Sequence, residues 1–254
     1  MWDVKQLNEL VDIFMDFGEA MMDAGAEIGR IEDSLARMGV SYGAVKTNVF
    51  VITSSIELTM VFPDEIAVTR TRRISSAPAM DFEKLRQLNA ISRRCANERL
   101  SVEELSSRLE KIRSIRSFKL KPYLGSVLAA GAFSVFFGGN MLDALVSAVF
   151  ALFVCFTQEK AAKFFPNKIF FLFVCSLVTG VGICAVANFI PGLHIDKIII
   201  GDIMLRVPGI AITNAVRDTL IGDTISGLVK LSDSLVWAAA LAAGFMLAIS
   251  CFAG

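Results

Sequence analysis

The chain has 254 residues, with 25 Lys and Arg residues against 25 Asp and Glu residues, 54% hydrophobic residues and a mean hydropathy of +0.60. Residues 1–121 carry 18 basic and 18 acidic side chains, whereas residues 122–254 carry seven of each, so the second half has the composition of a bilayer-embedded bundle. A purely soluble protein is excluded, and because neither half has a basic excess, no nucleic acid is expected as a partner.

The N-terminus, the cysteines and the single histidine indicate where the chain begins and which kinds of site it can contain. The first ten residues lack the basic segment and apolar core of a secretory signal peptide, so the chain is expected to begin in the cytoplasm. The five cysteines include no C-x-x-C pair, and His194 is the only histidine. Multi-histidine metal sites are excluded, no cofactor is expected, and we interpret His194 as a residue of an interfacial loop.

The first half, residues 1–120, predicts a cytoplasmic α+β domain of order α-α-β-β-β-α-α. Apolar and polar positions recur at helical spacing in four segments, and one segment between them alternates β-branched and polar residues as strands do. No arrangement of catalytic residues stands out here. The predicted elements are helices over 3–23 and 26–38, three strands within 45–74, and helices over 81–97 and 101–115.

Charge is distributed unevenly within this domain. The first helix has a net charge of −5, and residues 81–121 have a net charge of +5. The two segments can pair across the domain, or the basic one can lie on an anionic membrane leaflet. The sequence leaves both hypotheses open, together with two solvated faces.

The second half, residues 121–254, predicts a transmembrane helical domain of about five spans, with a broken or polar helix around 198–232. Basic residues before the first span and between the second and third predict that both regions are cytoplasmic. The N-terminus then lies on the cytoplasmic side of the membrane and the C-terminus on the outer side. The apolar stretches are 122–137, 141–156, 169–190, 198–212 and 235–252.

Residues 201–235 hold polar side chains within apolar surroundings. Each charge costs about 2.5 to 3.5 kcal/mol at the centre of a membrane helix, so these side chains should face protein, water or the cytoplasmic boundary. If one helix follows Pro208 and Gly209, four positions share an i, i+4 row and form a polar stripe. The polar side chains of residues 201–235 are Asp202, Arg206, Asn214, Arg217, Asp218 and Asp223. The i, i+4 row consists of Asn214, Asp218, Gly222 and Ser226.

A polar stripe of this kind suits a transport path. Arg217 would attract a carboxylate, and Asp218 or Asp223 would take up a proton or bind a substrate ammonium group. The alternative is an amphipathic cytoplasmic helix whose Arg217 and Asp218 pair with neighbours, but the Pro208 and Gly209 break favours transport, because interrupted helices expose backbone groups. Asp143 is a secondary candidate, since its spacing from Asn140 already predicts a helix cap.

Three motifs give the chain a family resemblance: residues 24–39 (AGAEIGRIEDSLARMG), residues 137–145 (FGGNMLDAL) and, most specifically, residues 208–227 (PGIAITNAVRDTLIGDTISG). The chain resembles the N-terminal module of the threonine/serine exporter (ThrE-like) family, in its short two-component form. The resemblance implies a cytoplasmic α+β domain followed by about five helices, and proton-coupled export of small amino acids across the inner membrane. It also implies a second small membrane module as partner, in a homo- or hetero-oligomer.

Carried onto this sequence, the family motif marks positions in and around residues 208–227. Their roles are assigned by side-chain chemistry, with no catalytic residue, no metal ligand and no enzyme activity expected. The alternatives are a subunit of a dicarboxylate (succinate) exporter and a membrane-anchored sensor or scaffold. The candidates are Thr213, Asn214, Arg217 and Asp218 for substrate binding, Asp218, Asp223 and Asp143 for proton coupling, and Pro208, Gly209, Gly222, Ser226 and Gly227 as the structural motif.

Overall fold

The computed structural model describes residues 4–63, 66–75, 80–115 and 120–252. Their contacts divide the chain into two compact units, which are described separately. One unit combines Met1–Arg116 with Asn214–Val229, and the other combines Ser117–Thr213 with Lys230–Gly254. The polar stretch after the helix break is therefore grouped with the N-terminal half of the chain.

Before the chain reaches the apolar half, the described residues of the N-terminal unit form four helices and one three-stranded sheet. The three strands pair antiparallel in chain order, as consecutive strands of a sheet commonly do. The elements are α1 (Val4–Asp23), α2 (Ile28–Ser41), β1 (Lys46–Ile52), β2 (Ser55–Val61), β3 (Ala67–Arg73), α3 (Phe82–Glu98) and α4 (Val102–Ser114).

A single apolar core joins these helices to one face of the sheet. On β2 the residues Ile56, Leu58 and Met60 are buried and alternate with more exposed neighbours, as expected for a strand with one covered face. Tyr42 lies fully buried after α2, edge-on to Phe14 with ring centroids 5.4 Å apart. Its hydroxyl donates to the Leu100 carbonyl at 2.7 Å, so the buried phenol is satisfied.

The acidic face of α1 is paired within its own unit. Arg70 of β3 contacts Asp12 (Nε to Oδ1, 3.2 Å), and Arg72 contacts Glu19 (Nη1 to Oε2, 3.0 Å) as well as Asp16. Arg113, which lies at the end of α4 in the basic segment, donates to the Asp16 backbone carbonyl at 2.9 Å, and its Nη2 atom lies 3.6 Å from both Asp16 Oδ1 and Glu19 Oε2. The predicted pairing across the domain is thus present at Arg113, but the sheet supplies most of the cations.

The second unit is helical and displays many apolar side chains at its surface, as lipid-facing helices do. In the part of the chain that the structure describes, α6 (Met141–Lys160), α7 (Lys168–Phe189) and α10 (Thr224–Phe252) are long and apolar enough to cross a membrane. Two shorter helices, α8 (Ile195–Met204) and α9 (Gly209–Leu220), would together make a fourth span bent by 52°. The apolar helix Pro122–Phe136 is shorter, and five crossings stay a prediction. The elements from residue 120 onward, of which most of α9 and the first residues of α10 belong to the N-terminal unit, are α5 (Leu120–Phe136), α6 (Met141–Lys160), a short 3-10 turn (Ala162–Phe164), α7 (Lys168–Phe189), α8 (Ile195–Met204), α9 (Gly209–Leu220) and α10 (Thr224–Phe252).

The expectation of one continuous polar helix after Pro208 is wrong. Helix α9 ends at Leu220, and the chain turns at Gly222, whose φ of +104° is a conformation that glycine adopts without strain. Helix α10 then begins at Thr224. Gly222 and Ser226 therefore do not continue the i, i+4 row of Asn214 and Asp218.

Candidate functional site

The helix break between α8 and α9 is the centre of the candidate site in the second unit. Helix α8 ends at Met204 and α9 begins at Gly209. The ring of Pro208 leaves its nitrogen without a hydrogen to donate, and the N–H of Gly209 turns back onto the Val207 carbonyl at 2.8 Å. An interrupted apolar helix exposes backbone groups that can contact a polar ligand.

Asp202 lies on α8, shortly before this break. Its side chain is 1% exposed, and neither carboxylate oxygen has a hydrogen-bond partner among the described residues. Helix α8 packs very closely at this level, because a Cβ on the preceding Gly201 would lie 2.6 Å from the Ala130 carbonyl of α5. A buried carboxylate without donors is costly unless a cation or a proton joins it.

Arg206 follows Asp202 by four residues and lies within the break. Its Nη2 atom is 3.2 Å from the Val154 carbonyl of α6 and 3.2 Å from the Cys175 sulfur of α7. The buried Nε has no partner in the described part of the chain. The guanidinium is thus oriented by two neighbouring helices while one of its donors stays available.

Two hydroxyls extend this group of unsatisfied polar atoms. Ser134 of α5 and Ser147 of α6 are fully buried, and within the described ranges their oxygens have no hydrogen-bond partner. A Cβ on Gly201 would lie 3.2 Å from the Ser134 Cβ. We call Ser134, Ser147, Asp202 and Arg206 the break cluster. Because unpaired buried polar groups are rare in folded proteins, the break cluster suits a polar ligand or water.

Asp143, the secondary proton candidate, forms the predicted helix cap and also a contact that the sequence did not reveal. Asn140 Oδ1 accepts from the Asp143 N–H at 2.9 Å, and Asp143 Oδ2 accepts from the Asn140 N–H at 2.8 Å. The backbone N–H of His194 donates to Asp143 Oδ1 at 2.8 Å, and His194 Nδ1 lies 2.9 Å from Oδ2. The start of α8 at His194 is therefore held by the Asp143 carboxylate, which belongs to α6.

The polar residues of α9 have different environments. Thr213 Oγ1 donates to the Gly209 carbonyl of its own helix at 2.9 Å, and Asn214 is half-buried. Arg217 is exposed and donates from Nη1 to Glu27 Oε1 at 2.9 Å. Asp218 is fully buried in the N-terminal unit, and its backbone carbonyl accepts from the N–H of Asp223 at 2.9 Å.

The structural motif residues form the break and the hairpin of α9 with α10. Pro208 and Gly209 lie at the break, and Gly222 makes the turn. Ser226 and Gly227 are buried at the start of α10, where a Cβ on Gly227 would lie 2.7 Å from the Ala215 carbonyl. The structure thus brings Arg217, Asp218, Asp223, Ser226 and Gly227 into the N-terminal unit, whereas Asp143, Pro208, Gly209 and Thr213 lie in the second unit.

Comparison with known proteins gives one result. The sequence model of the family ThrE, described as "Putative threonine/serine exporter", matches residues 12–252. The chain belongs to the ThrE family. No curated protein and no solved structure matches it. ThrE is a transporter family, so membership and the apolar helices together indicate a multi-pass membrane protein of amino-acid export.

In this ThrE-family chain, Asp202 and Arg206 stand out in the sequence as charges within an apolar stretch, but the sequence alone predicts no role for them. The signal that identifies them is their spacing of four residues immediately before Pro208. Among the described residues, no group of three or more His, Cys, Asp or Glu side chains could hold a metal ion. The break cluster has instead one carboxylate and one guanidinium, which are complementary to the ammonium and carboxylate of an amino acid.

Proposed function

We propose that this chain is a subunit of a secondary exporter that moves threonine and serine out across the inner membrane, with the proton gradient as the energy source. Family membership supports amino-acid export. The break cluster supports a transport site, because Asp202 and Arg206 carry unsatisfied buried atoms at an interrupted helix. The proposal rests on this observation above all, since a helix that only anchors a protein has no use for buried charge.

The break cluster would recognise the two charged ends of the substrate. Arg206 binds the carboxylate through its guanidinium donors, and Asp202 binds the ammonium group. Neither side chain forms an ion pair within the described residues, so a zwitterion supplies an opposite charge to each, together with partners for Arg206 Nε and the Asp202 oxygens. The Ser134 and Ser147 hydroxyls can bind the hydroxyl group that threonine and serine share.

The α9 residues form a second candidate station for the same substrate. Arg217 with Asn214 and Thr213 would contact the carboxylate, as the sequence predicts. Arg217 is engaged by Glu27 but is exposed, so a carboxylate can exchange for Glu27. The buried Asp218 is the leading candidate for the coupling proton, with Asp223 and Asp143 beside it.

The proposed assembly contains a second small membrane module of the same family. The N-terminus is cytoplasmic and the C-terminus lies outside. The alternative is an exporter of succinate, and the side chains of the break cluster would distinguish succinate from an amino acid. A dicarboxylate has no ammonium group and would be repelled by an ionised Asp202. A membrane-anchored sensor or scaffold is a further alternative, in which no substrate is moved.

Efflux from preloaded cells tests these proposals. Cells lacking the protein receive this chain with its partner module, and the export of labelled threonine, serine and succinate is compared. Arg206→Gln should lower threonine and serine export by about tenfold or more, because a hydrogen-bonded charge contributes about 1.5 to 3 kcal/mol. Arg206→Lys should restore part of it, since the charge remains while the guanidinium geometry is lost.

Two further variants make the result specific. Arg217→Gln tests the α9 station, and Arg73→Gln on the exposed side of β3 is the matched arginine control. If the Arg206→Gln variant is present in the membrane in the same amount as the parental protein and exports at the parental rate, the substrate site would be assigned to Arg217 instead. Succinate export alone would establish the dicarboxylate alternative, and no export of any of the three would favour the sensor or scaffold.

A further inference from the structure

A cleft in the N-terminal unit collects arginines from three separate elements. The cleft has a volume of about 670 Å³ and is formed by one face of α2, one face of α3 and the end of α9 with the residue that follows it. This size is within the usual range for a small-molecule site. We call it the arginine cleft, and its basic residues are Arg30, Arg37, Arg86, Arg93 and Arg217.

Three of these arginines lack the partners that surface arginines usually find. Arg30, Arg37 and Arg93 are exposed, and no hydrogen bond or ion pair engages their side chains within the described residues. Arg217 is paired with Glu27, and Arg86 with Glu83. The arginine cleft therefore keeps free guanidinium groups on both of its helical walls.

The acidic residues of the cleft do not offset these charges fully. Glu27 is already committed to Arg217, and Glu32 Oε1 accepts the Val51 N–H at 2.9 Å. Burial raises the pKa of Glu32, so this carboxyl is less ready to carry a charge than an exposed one. Asp33 is the remaining acid on the lining. Five guanidinium groups against three carboxyls leave the cleft basic, although the chain as a whole is neutral.

The spacing of the arginines indicates what kind of ligand they suit. Arg30 and Arg37 are seven residues apart on α2, and Arg86 and Arg93 are seven apart on α3. Seven residues make about two helical turns, or about 10 Å, so each pair lies on one face of its helix. A single carboxylate would occupy one guanidinium. Several guanidinium groups over this length suit several linked anionic groups, and their planar forks match phosphate oxygens.

We propose that the arginine cleft binds a soluble anion carrying two or more phosphate groups, and that this anion acts as an effector by drawing Arg217 away from Glu27. Arg217 is the link, because it lines the cleft and belongs to α9, the helix that begins at the Pro208 break. An effector in the cleft changes the partner of Arg217 without occupying the break cluster. The N-terminal unit is then a ligand-sensing part of the transporter.

Calorimetric titration of the purified full-length protein in zwitterionic nanodiscs tests the binding step. The probes are inorganic tripolyphosphate and orthophosphate. We expect saturable binding of tripolyphosphate that is at least about tenfold tighter than that of orthophosphate, because only the longer anion reaches several guanidinium groups. The double variant Arg30→Gln/Arg37→Gln should weaken it by about tenfold or more, and Arg93→Gln should weaken it in the same direction.

A matched control separates the cleft from general surface charge. Arg73 is an exposed arginine of β3 that does not line the cleft, so Arg73→Gln should change the affinity by less than about twofold. Equal weakening by Arg73→Gln and by the cleft variants, with unchanged thermal stability, would overturn the proposal. Absence of saturable binding to the parental protein would overturn it as well.

The Arg217 exchange has its own test. Glu27→Gln releases Arg217 from its ion pair and should tighten tripolyphosphate binding by about threefold to tenfold, whereas Arg217→Gln should weaken it. Unchanged affinity in both variants would contradict the role of Arg217. Because these measurements record binding and not export, their failure and the failure of the proposed transport function can be told apart.

A lipid headgroup offers the same phosphate chemistry, so a second membrane composition is needed. The titration is repeated in nanodiscs that contain anionic phosphatidylglycerol. Unchanged tripolyphosphate binding would support a soluble ligand. Loss of binding in anionic nanodiscs, with no loss in zwitterionic ones, would show that headgroups occupy the cleft and would overturn the proposal of a soluble effector.

Discussion

At the scale of single residues, Glu32 shows how a half-buried carboxyl affects stability. Burial raises the pKa of Glu32, the hydrogen bond from the Val51 N–H opposes the rise, and the negative charges of Asp223 and Asp33 add to it. The net direction is upward, so the folded protein holds this proton more tightly than the unfolded chain does. Glu32 therefore contributes most to stability at low pH, and the contribution is lost as the pH rises through the folded pKa.

The variant Glu32→Gln follows from this argument. The amide oxygen keeps the Val51 hydrogen bond, while the charge and its repulsion from Asp223 and Asp33 disappear. At pH 7 the midpoint of thermal unfolding should rise by about 1 to 3 °C, and the gain should vanish below the ordinary pKa of 4.5. Scanning fluorimetry of the full-length protein from pH 4 to 8 measures this, with the exposed Glu57→Gln as control. A gain that is constant over this range would contradict the argument.

At the scale of elements, local patterns in the sequence predicted most of the helices and strands of the N-terminal half. The predicted helix over 81–97 is observed as Phe82–Glu98, and the β-branched stretch forms three strands. These patterns depend on residues a few positions apart, which periodicity records. The sequence did not predict where α9 ends, because a glycine such as Gly222 is compatible both with the interior of a helix and with a turn.

Contacts over long sequence distances escaped prediction for a different reason. His194 and Asp143 are 51 residues apart, and only the packing of α8 near α6 brings them together. The arginine cleft is similar, because Arg30 and Arg93 each resemble solvated surface residues in the sequence. The carboxylate of Asp202 was visible as a charge, but its lack of partners is a property of the packed structure.

The hairpin of α9 and α10 gives a prediction at this scale. A Cβ on Gly227 would lie 2.7 Å from the Ala215 carbonyl and 2.9 Å from the Thr219 nitrogen, both backbone atoms of α9. Gly227→Ala should therefore push the helices apart and destabilise the protein by about 1 to 3 kcal/mol. Thermal unfolding measures the loss. Gly125→Ala is the control, since a Cβ there meets no atom within 4 Å, and equal stability of the two variants would show that the hairpin adapts.

At the scale of the whole molecule, the number of crossings decides on which side of the membrane the chain ends. Among the described residues, helices α6, α7 and α10 are long and apolar enough to cross a membrane, and the bent pair of α8 and α9 would make a fourth crossing. The shorter helix α5 would add a fifth. The basic residues Lys160 and Lys168 flank the connection between α6 and α7, which favours a cytoplasmic location for that loop. With an odd number of crossings, the two chain ends lie on opposite sides.

Cys251 allows this topology to be measured without adding a residue. It is an exposed cysteine in the last turn of α10, whereas Cys95 in the N-terminal unit is buried. If five helices cross and the N-terminus is cytoplasmic, a membrane-impermeant maleimide should label intact cells at Cys251, and Cys251→Ser should abolish the signal. Labelling that requires permeabilised cells would indicate an even number of crossings. Helix α5 would then lie along the membrane or against protein instead of spanning it, because its apolar length is below the roughly 20 residues that a span requires.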